Sequence, residues 1–341
     1  MGDTRTRLTG FVLILALGLG GLVPWGKAVL GSPLLLVSGL TLSAPEAQKG
    51  LRLLRVILFT PDAATIVAQQ RGFFANEGLS VEVTVTPNST VQMRGLSQGT
   101  WDIAYTAFDN VLAWSGREGA EIIAVAHTDS GIILPLFVRP EIRSWDDLRG
   151  RRLAADAVDT AFALVLRRIL LEHGLDLDRG DYELVAVGAT GARLESMQRG
   201  ETFAAILSAP FDVQAAAAGF VRLADHREVL PDYPGGVIAV NRAWATQHRD
   251  DLVRFLRARQ AGARWLEANR EAAIDLLAAE MGVGREAAID RLNQTAIDAT
   301  LNLPGLQSVL DLRTMFGFTL PMGTDLSRYY DLSYYQAAVG R

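Results

Sequence analysis

From Leu51 onward, short apolar runs alternate with amphipathic stretches, the pattern of an α/β fold with mostly parallel sheets. Leu53 to Phe59 reads as a buried strand, Thr60-Pro61-Asp62 as a turn and helix start, and residues 63–77 as a helix stopped by Gly78. Val81, Val83 and Val85 alternate as a second strand. A short helix over 92–98 ends at Gly99, a third strand covers 102–106, a helix 110–114, and a fourth strand 121–126.

An extended apolar segment, Ile132 to Val138, then leads into a second set of cycles. Strands are expected at 153–155, 182–187 and 204–207, with helices at 160–173 and 192–199. A second extended segment, Gly236 to Asn241, precedes a helical region with expected helices at 250–269, 271–280 and 285–299 and a tail ending near Ala338. Two connecting segments flanking one block make insertion the economical topology. The expected organisation is a leader at 1–50, a first lobe at 51–137 and 237–341, and a second α/β lobe at 138–236 inserted into it. A short echo occurs in both lobes, with chance and kinship as equal readings: Gly99-Thr100-Trp101-Asp102-Ile103-Ala104 and Gly200-Glu201-Thr202-Phe203-Ala204-Ala205 each set a helix-ending Gly before an Ala-containing strand.

The leader has a basic start at Arg5 and Arg7 and two charge-free stretches, Leu8 to Gly26 and Ala28 to Pro45, separated by Lys27. The second stretch holds small residues at Thr41 and Ser43 just before Ala44, so the segment is expected to act as an export signal and to place the protein in the periplasm or outside the cytoplasm, membrane-anchored where it stays uncleaved. Net charge is −5; without residues 1–50, which hold four bases and two acids, 29 basic residues face 36 acidic ones, a net of −7. That balance argues against nucleic-acid binding. The chain has no Cys, and its only two lysines, Lys27 and Lys49, lie in the leader. Thiolate chemistry, a Schiff base and a Walker-type phosphate loop are thereby excluded from the folded part. Gly188 to Gly191 does not fit the dinucleotide fingerprint, and the four His lack partners at ligand spacing, so no cofactor, metal or catalytic residue is expected.

Open α/β sheets bind ligands outside the carboxyl ends of their strands. In the first lobe those ends carry Thr60, Pro61, Asp62, Tyr105, Thr106, Asp109, His127 and Asp129; in the second, Asp156, Asp159, Thr160, Thr190, Ser208 and Pro210. For Asp62, Asp109 and Asp159, helix capping and ligand contact stand as equal readings. Asp156 and Asp159 have the spacing of an acid/base pair, but no nucleophile is placed beside them and a capped helix accounts for them better. Five aspartates and no Arg crowd this predicted mouth. Tyr329-Tyr330 and Tyr334-Tyr335 are expected to dock the tail.

An ordered set of residues resembles the substrate-binding proteins of ABC importers in the nitrate, sulfonate and taurine group, which also contains binders of thiamine-pyrimidine precursors. The set comprises Gln70-Arg71-Gly72-Phe73-Phe74 with Glu77-Gly78-Leu79, Leu96 to Ala104, Ser144 to Arg151, Leu170-Leu171 with Gly174-Leu175, Val187-Gly188, Met197 to Gly200, Pro210, and Asn241 with Trp244. Phe203 stands where the group commonly carries Asp, and the Cys-rich motif of the precursor binders is absent. The resemblance implies a two-lobed, type 2 periplasmic-binding fold whose monomer closes on a small molecule and delivers it to a membrane permease. Family weight favours a small organic anion. The local aspartates, with Tyr105, Phe108, Phe211 and Tyr233 available for stacking, favour a neutral or cationic heterocycle. A lyase or synthase on the same fold and an anchored sensor ectodomain are the alternatives.

Overall fold

Residues 50–340 are described by a computed structural model and form two five-stranded sheets with helices packed on them. The first sheet contains β1 (Arg52–Leu58), β2 (Leu79–Val85), β3 (Ile103–Ala107), β4 (Ile122–His127) and β10 (Gly236–Asn241), in the order β2-β1-β3-β10-β4. The second contains β5 (Pro135–Val138), β6 (Arg152–Ala155), β7 (Glu183–Ala186), β8 (Ala204–Ile206) and β9 (Val221–Asp225), in the order β7-β6-β8-β5-β9. The leader expected at 1–50 lies, but for Gly50, outside the described residues.

The sheets are mixed, and the reason is the same in both. β10 enters the first sheet antiparallel to β3 and β4, and β5 enters the second antiparallel to β8 and β9. These are the strands that carry the chain from one sheet to the other and back; the remaining ladders are parallel. Pro135–Val138 therefore pairs with the second sheet, a few residues before the 137/138 boundary drawn from the pattern. Each visiting strand has one register irregularity against its outer neighbour, between Ile238 and Ala239 and between Leu136 and Phe137. The sequence echo falls at equivalent places, leading into β3 and β8, the third strand of each sheet. Where the first copy has Asp102, bound to the Arg55 guanidinium at 2.9 Å, the second has Phe203, its ring flanked by Arg151 at 4.6 Å and Arg139 at 5.4 Å.

The expected helix over 63–77 is two pieces, α1 (Ala63–Gln70) and α2 (Phe73–Asn76), because Gly72 sits at φ 72° and breaks the turn. The first sheet also carries α3 (Ser89–Ser97) and α4 (Phe108–Trp114); the second carries α5 (Ala161–Glu172), α6 (Thr190–Gln198) and α7 (Phe211–Ala217). Neither α7 nor β9 was expected: both are short, and β9 has only two buried residues to mark it. The chain then runs through α8 (Arg242–Gln247), α9 (Arg249–Ala268), α10 (Arg270–Met281), α11 (Arg285–Gln294), α12 (Leu303–Met315) and α13 (Ser333–Val339). The helix expected to reach residue 299 stops at Gln294, after which Thr295 adopts an extended conformation.

α9 packs on α1 and α13, returning the C-terminal region to the first sheet. The tail tyrosines dock as expected: Tyr329, Tyr334 and Tyr335 are buried, although Tyr329 precedes α13 rather than sharing its face. α12 is different, since it packs on α4 of the first sheet and α5 of the second. Its buried stripe of Leu306, Val309 and Leu310 joins one apolar core that includes Val111 and Leu112 as well as Leu164 and Ile169. No helix among the described residues is long and apolar enough to cross a membrane.

The α1 and α9 backbones approach so closely that a Cβ at Gly262 would lie 2.2 Å from the Ala64 carbonyl oxygen. Gly262→Ala is expected to destabilise the fold by about 1–3 kcal/mol through forced separation of the two helices. Urea denaturation measures this, and an unchanged midpoint would contradict the tight packing.

Candidate functional site

The strand ends of the first sheet divide into two groups with different work to do. Asp62 is the N-cap of α1 and accepts the Thr65 N–H at 2.8 Å. It also takes a two-point contact from Arg259 of α9, Nη2 to Oδ1 at 2.8 Å and Nε to Oδ2 at 3.1 Å. Arg259 further donates to the Thr128 carbonyl at 2.6 Å, and the Tyr105 hydroxyl lies 2.8 Å from Thr65 Oγ1. Burial, with Asp62 nearby, raises the Tyr105 phenol well above its ordinary range. For Arg259, burial opposes the charge but Asp62 outweighs it, and its pKa is raised. Capping and an internal ion pair thus occupy both Asp62 oxygens.

His127 and Asp129 hold the two crossings together. The His127 ring sits between the Gly236 carbonyl, 3.1 Å from Nδ1, and the Asn302 N–H, which donates to Nε2 at 3.0 Å. That arrangement requires the neutral tautomer with the proton on Nδ1, and burial lowers the pKa accordingly. Asp129 accepts the Gly131 N–H on the outgoing segment and the Gly236 N–H on the returning one, at 3.1 and 2.9 Å. A Cβ at Gly235 would fall 1.5 Å from Asp129 Oδ1, so glycine is required for this approach. Thr106 accepts from Asn110 Nδ2 at 2.8 Å, while Thr60 and Pro61 are exposed.

The second group lies at the seam between the sheets. Asp109 is in the first turn of α4 but is not its cap, which is Ala107. Its partner is Arg313 of α12: Nη1 donates to Asp109 Oδ1 at 2.7 Å and to the Asp159 carbonyl of the β6–α5 loop at 3.1 Å. Arg313 and Asp109 side chains are each 2% exposed. Burial raises the Asp109 carboxyl to about 6 despite the opposing pull of Arg313, and Asp159 and Asp156 push in the same direction as burial. Tyr233, buried in the returning segment, feels Asp109, Arg313 and Asp156.

From the second sheet, Thr160 caps α5 only with its backbone, because its hydroxyl donates to Asp156 Oδ1, with the Ala157 carbonyl 3.1 Å away. Asp156 Oδ1 lies 3.7 Å from Nη1 of Arg193, a buried side chain on α6 that also donates to the Gly188 carbonyl and to Thr190 Oγ1. Asp159 is exposed at the edge of the seam, and Ser208 and Pro210 line the more open β8–α7 turn. The structure thus gathers Asp109, Asp156, Asp159, Thr160 and Thr190 at the seam and assigns Asp62, Tyr105, His127 and Asp129 to the framework beneath.

The expectation of an Arg-free mouth is wrong. Arg259, Arg313 and Arg193 meet Asp62, Asp109 and Asp156, and two of the three come from helices some two hundred residues further along the chain. One sequence signal marks two of them: each takes the place of an apolar residue in a helical stripe, Arg313 after Leu306, Val309 and Leu310, and Arg259 after Leu252, Phe255 and Leu256. Two surface depressions of about 550 and 500 Å³ lie along the outer face of α9 beside α13 and share no residue with the seam. No group of three or more potential metal ligands occurs among the described residues.

Removing one partner of a buried pair leaves an uncompensated charge. Arg259→Leu is expected to cost roughly 3–5 kcal/mol, with Asp62→Asn/Arg259→Leu recovering much of it; equal losses for single and double variants would show that the pair is not coupled. For His127, the native pKa lies below the unfolded value, so its contribution is complete above about pH 6.5 and is lost as pH falls toward the native pKa, by at most about 1.4 kcal/mol per pH unit. His226 acts in the same direction and Asp109 in the opposite one. The difference between wild type and His127→Gln in denaturant titrations at about pH 7.5 and pH 5.5 isolates His127, and parallel curves would refute its neutral structural role.

Comparison with known proteins places these features in a wider group. The chain matches the NMT1-like family over residues 53–281. A curated relative from Brucella abortus, "Putative binding protein BAB2_1146", is 23% identical over 289 residues, covering 80% of this chain and 87% of its own length. Three solved structures share the fold. The nitrate-binding protein NrtA of Synechocystis PCC 6803 is 14% identical, with 85% and 89% of the two chains covered and a TM-score of 0.70. The alkanesulfonate-binding protein SsuA of Xanthomonas axonopodis pv. citri is 17% identical, with coverage of 77% and 92% and a TM-score of 0.64. The desulfurization enzyme DSZB is 18% identical, with coverage of 85% and 99% and a TM-score of 0.63. With the family matched over most of its length and the periplasmic-binding fold around the seam, the chain belongs to the NMT1-like family.

Proposed function

We propose that this protein is the solute-binding component of an ABC importer, taking a small organic molecule into the seam between its two lobes and presenting it to a membrane permease. One observation carries the reading: charged and hydroxyl side chains from the carboxyl ends of both sheets converge where Arg313 touches the two at once. A ligand there gains contacts from each lobe only in the closed arrangement, which couples closure to binding and gives the permease a shape to recognise. The lobes pivot on the two crossings pinned by His127 and Asp129. The protein works outside the cytoplasmic membrane, exported by its apolar leader, as a monomer with no cofactor. Names of the relatives support binding over catalysis, while the desulfurization enzyme on the same fold favours the second reading, chemistry at the same seam.

The first test is thermal stability of the exported protein against sulfonates, taurine, nitrate, carboxylic acids, pyrimidines, flavins and polyamines, with native mass spectrometry for a co-purifying ligand. A ligand at about 100 times its Kd stabilises by about 2.7 kcal/mol, a shift of roughly 5 °C or more for a chain of this size. A saturable shift with the ligand recovered intact is expected; a shift that decays as product forms would establish the enzyme reading instead.

A further inference from the structure

Arg313 has more donors than the chain's own acceptors use. Both of its hydrogen bonds at the seam leave through Nη1, and its Nε is buried without a partner. A guanidinium is a planar fork of five N–H donors, with paired edges that suit a two-oxygen acid. Leaving such a donor buried and unfilled is unfavourable, and natural structures rarely do it without a functional cause. Phe318, its ring centroid 5.5 Å from the guanidinium carbon, closes one side of the group.

Asp109 is the acid now on Arg313, held by the single Nη1–Oδ1 contact. It is faced by Arg313 from α12, by Asp156 and Asp159 from the β6–α5 loop, and by Tyr233 from the returning segment. Buried, with two carboxylates against one guanidinium, its carboxyl already sits at about 6. Loss of Arg313 would carry it higher, because burial would then act unopposed.

Taking the seam as the ligand site, as proposed above, we infer that Arg313 is the recognition residue for a carboxylate on the ligand, and that Asp109 is its resident counter-ion, giving up Arg313 and accepting a proton when that carboxylate docks. The partner Arg313 already takes is a carboxylate, and a planar two-oxygen acid matches the edge of the guanidinium that holds the unpartnered Nε better than a tetrahedral sulfonate does. Charge balances: the ligand brings one negative charge, one proton released by the buffer acid binds an Asp109 oxygen, and the guanidinium stays paired. Linkage fixes the sign. Uptake of one proton makes binding tighten as pH falls from about 8 to about 6, by up to about tenfold per pH unit, and level off once Asp109 is protonated in the free protein.

The test is calorimetric titration of the exported protein with acetate through hexanoate and benzoate, and with sulfonates of the same carbon skeletons, between about pH 6 and pH 8 in two buffers of different ionisation enthalpy. Carboxylates are expected to bind with uptake of close to one proton at the upper end of that range, and the matching sulfonates about tenfold or more weakly. Asp109→Asn is expected to bind without the pH slope, and Arg313→Gln to lose about a hundredfold or more. Should Arg313→Gln fail to fold, Asp109→Asn/Arg313→Gln restores a neutral hydrogen-bonding pair and must show the same loss. Sulfonates binding as well as carboxylates, a pH-independent wild type, or an unaffected Arg313 variant each overturn the inference. If no carboxylate binds while the broader panel yields a ligand, the carboxylate assignment falls and the binding-protein reading stands; a protein that answers neither experiment fails both.

Discussion

Two strands, β5 and β10, bind each half of the molecule to the other. Each leaves the sheet in which its predecessor lies and enters the other sheet antiparallel, hydrogen-bonded on both sides rather than added at an edge. Neither sheet is complete without a strand from the far side of a crossing. Parallel pairs need long connections, whereas an antiparallel visitor can enter straight from a crossing, which is why the exceptions to parallel order are these two strands. The crossings are short and pinned. Asp129 accepts N–H groups from the outgoing and returning chain, and His127 bonds β10 and the residue that caps α12. From this follows the position of the seam, which brings the β6–α5 loop to the start of α4 with α12 packed on both sides.

The charged groups are placed with the same economy. Arg259 with Asp62 and Arg313 with Asp109 are buried pairs, and desolvation cancels much of what their attraction gains. Their value lies in geometry: a pair that is costly to break fixes which helix faces which strand end. Arg259 reaches Asp62, the cap of α1, and the Thr128 carbonyl after β4, so α9 can dock in one register only. Arg313 does the corresponding work across the seam. The contrast between them lies in what is left over, since Asp62 gives both of its oxygens to Arg259, whereas Arg313 retains a buried Nε without a partner.

The two sheets share one order, with β2, β1, β3, β10 and β4 matched by β7, β6, β8, β5 and β9, and the register irregularity recurs on both visiting strands. The short echo lies just before β3 and β8, at matching places in the two orders. At its fourth position the side chains differ: Asp102 makes an ion pair with Arg55, while Phe203 takes Arg139 and Arg151 over its ring. A cation therefore covers the equivalent position in each sheet, held by charge in one and by ring polarisation in the other.

Much of this was legible in the chain before any tertiary contact was known. The apolar runs gave β1, β3, β4, β8 and β10 to within a residue or two, and the extended segment from Gly236 to Asn241 is β10 itself. Short, weakly patterned elements such as β9 and α7 were not legible, since few of their residues face the core and periodicity has nothing to act on. The strand-end rule gathered the loops at the carboxyl ends of the strands, yet it treated Asp62 and Asp109 alike. Local sequence cannot separate them: both are aspartates at helix starts, and what distinguishes cap from seam group is an arginine 197 or 204 residues away. The sequence by itself determined the elements and the loops at their carboxyl ends, because side-chain periodicity and turn chemistry are local properties. Only the tertiary structure decided which aspartate meets which arginine and which donor is left unfilled, because those contacts depend on how distant helices dock.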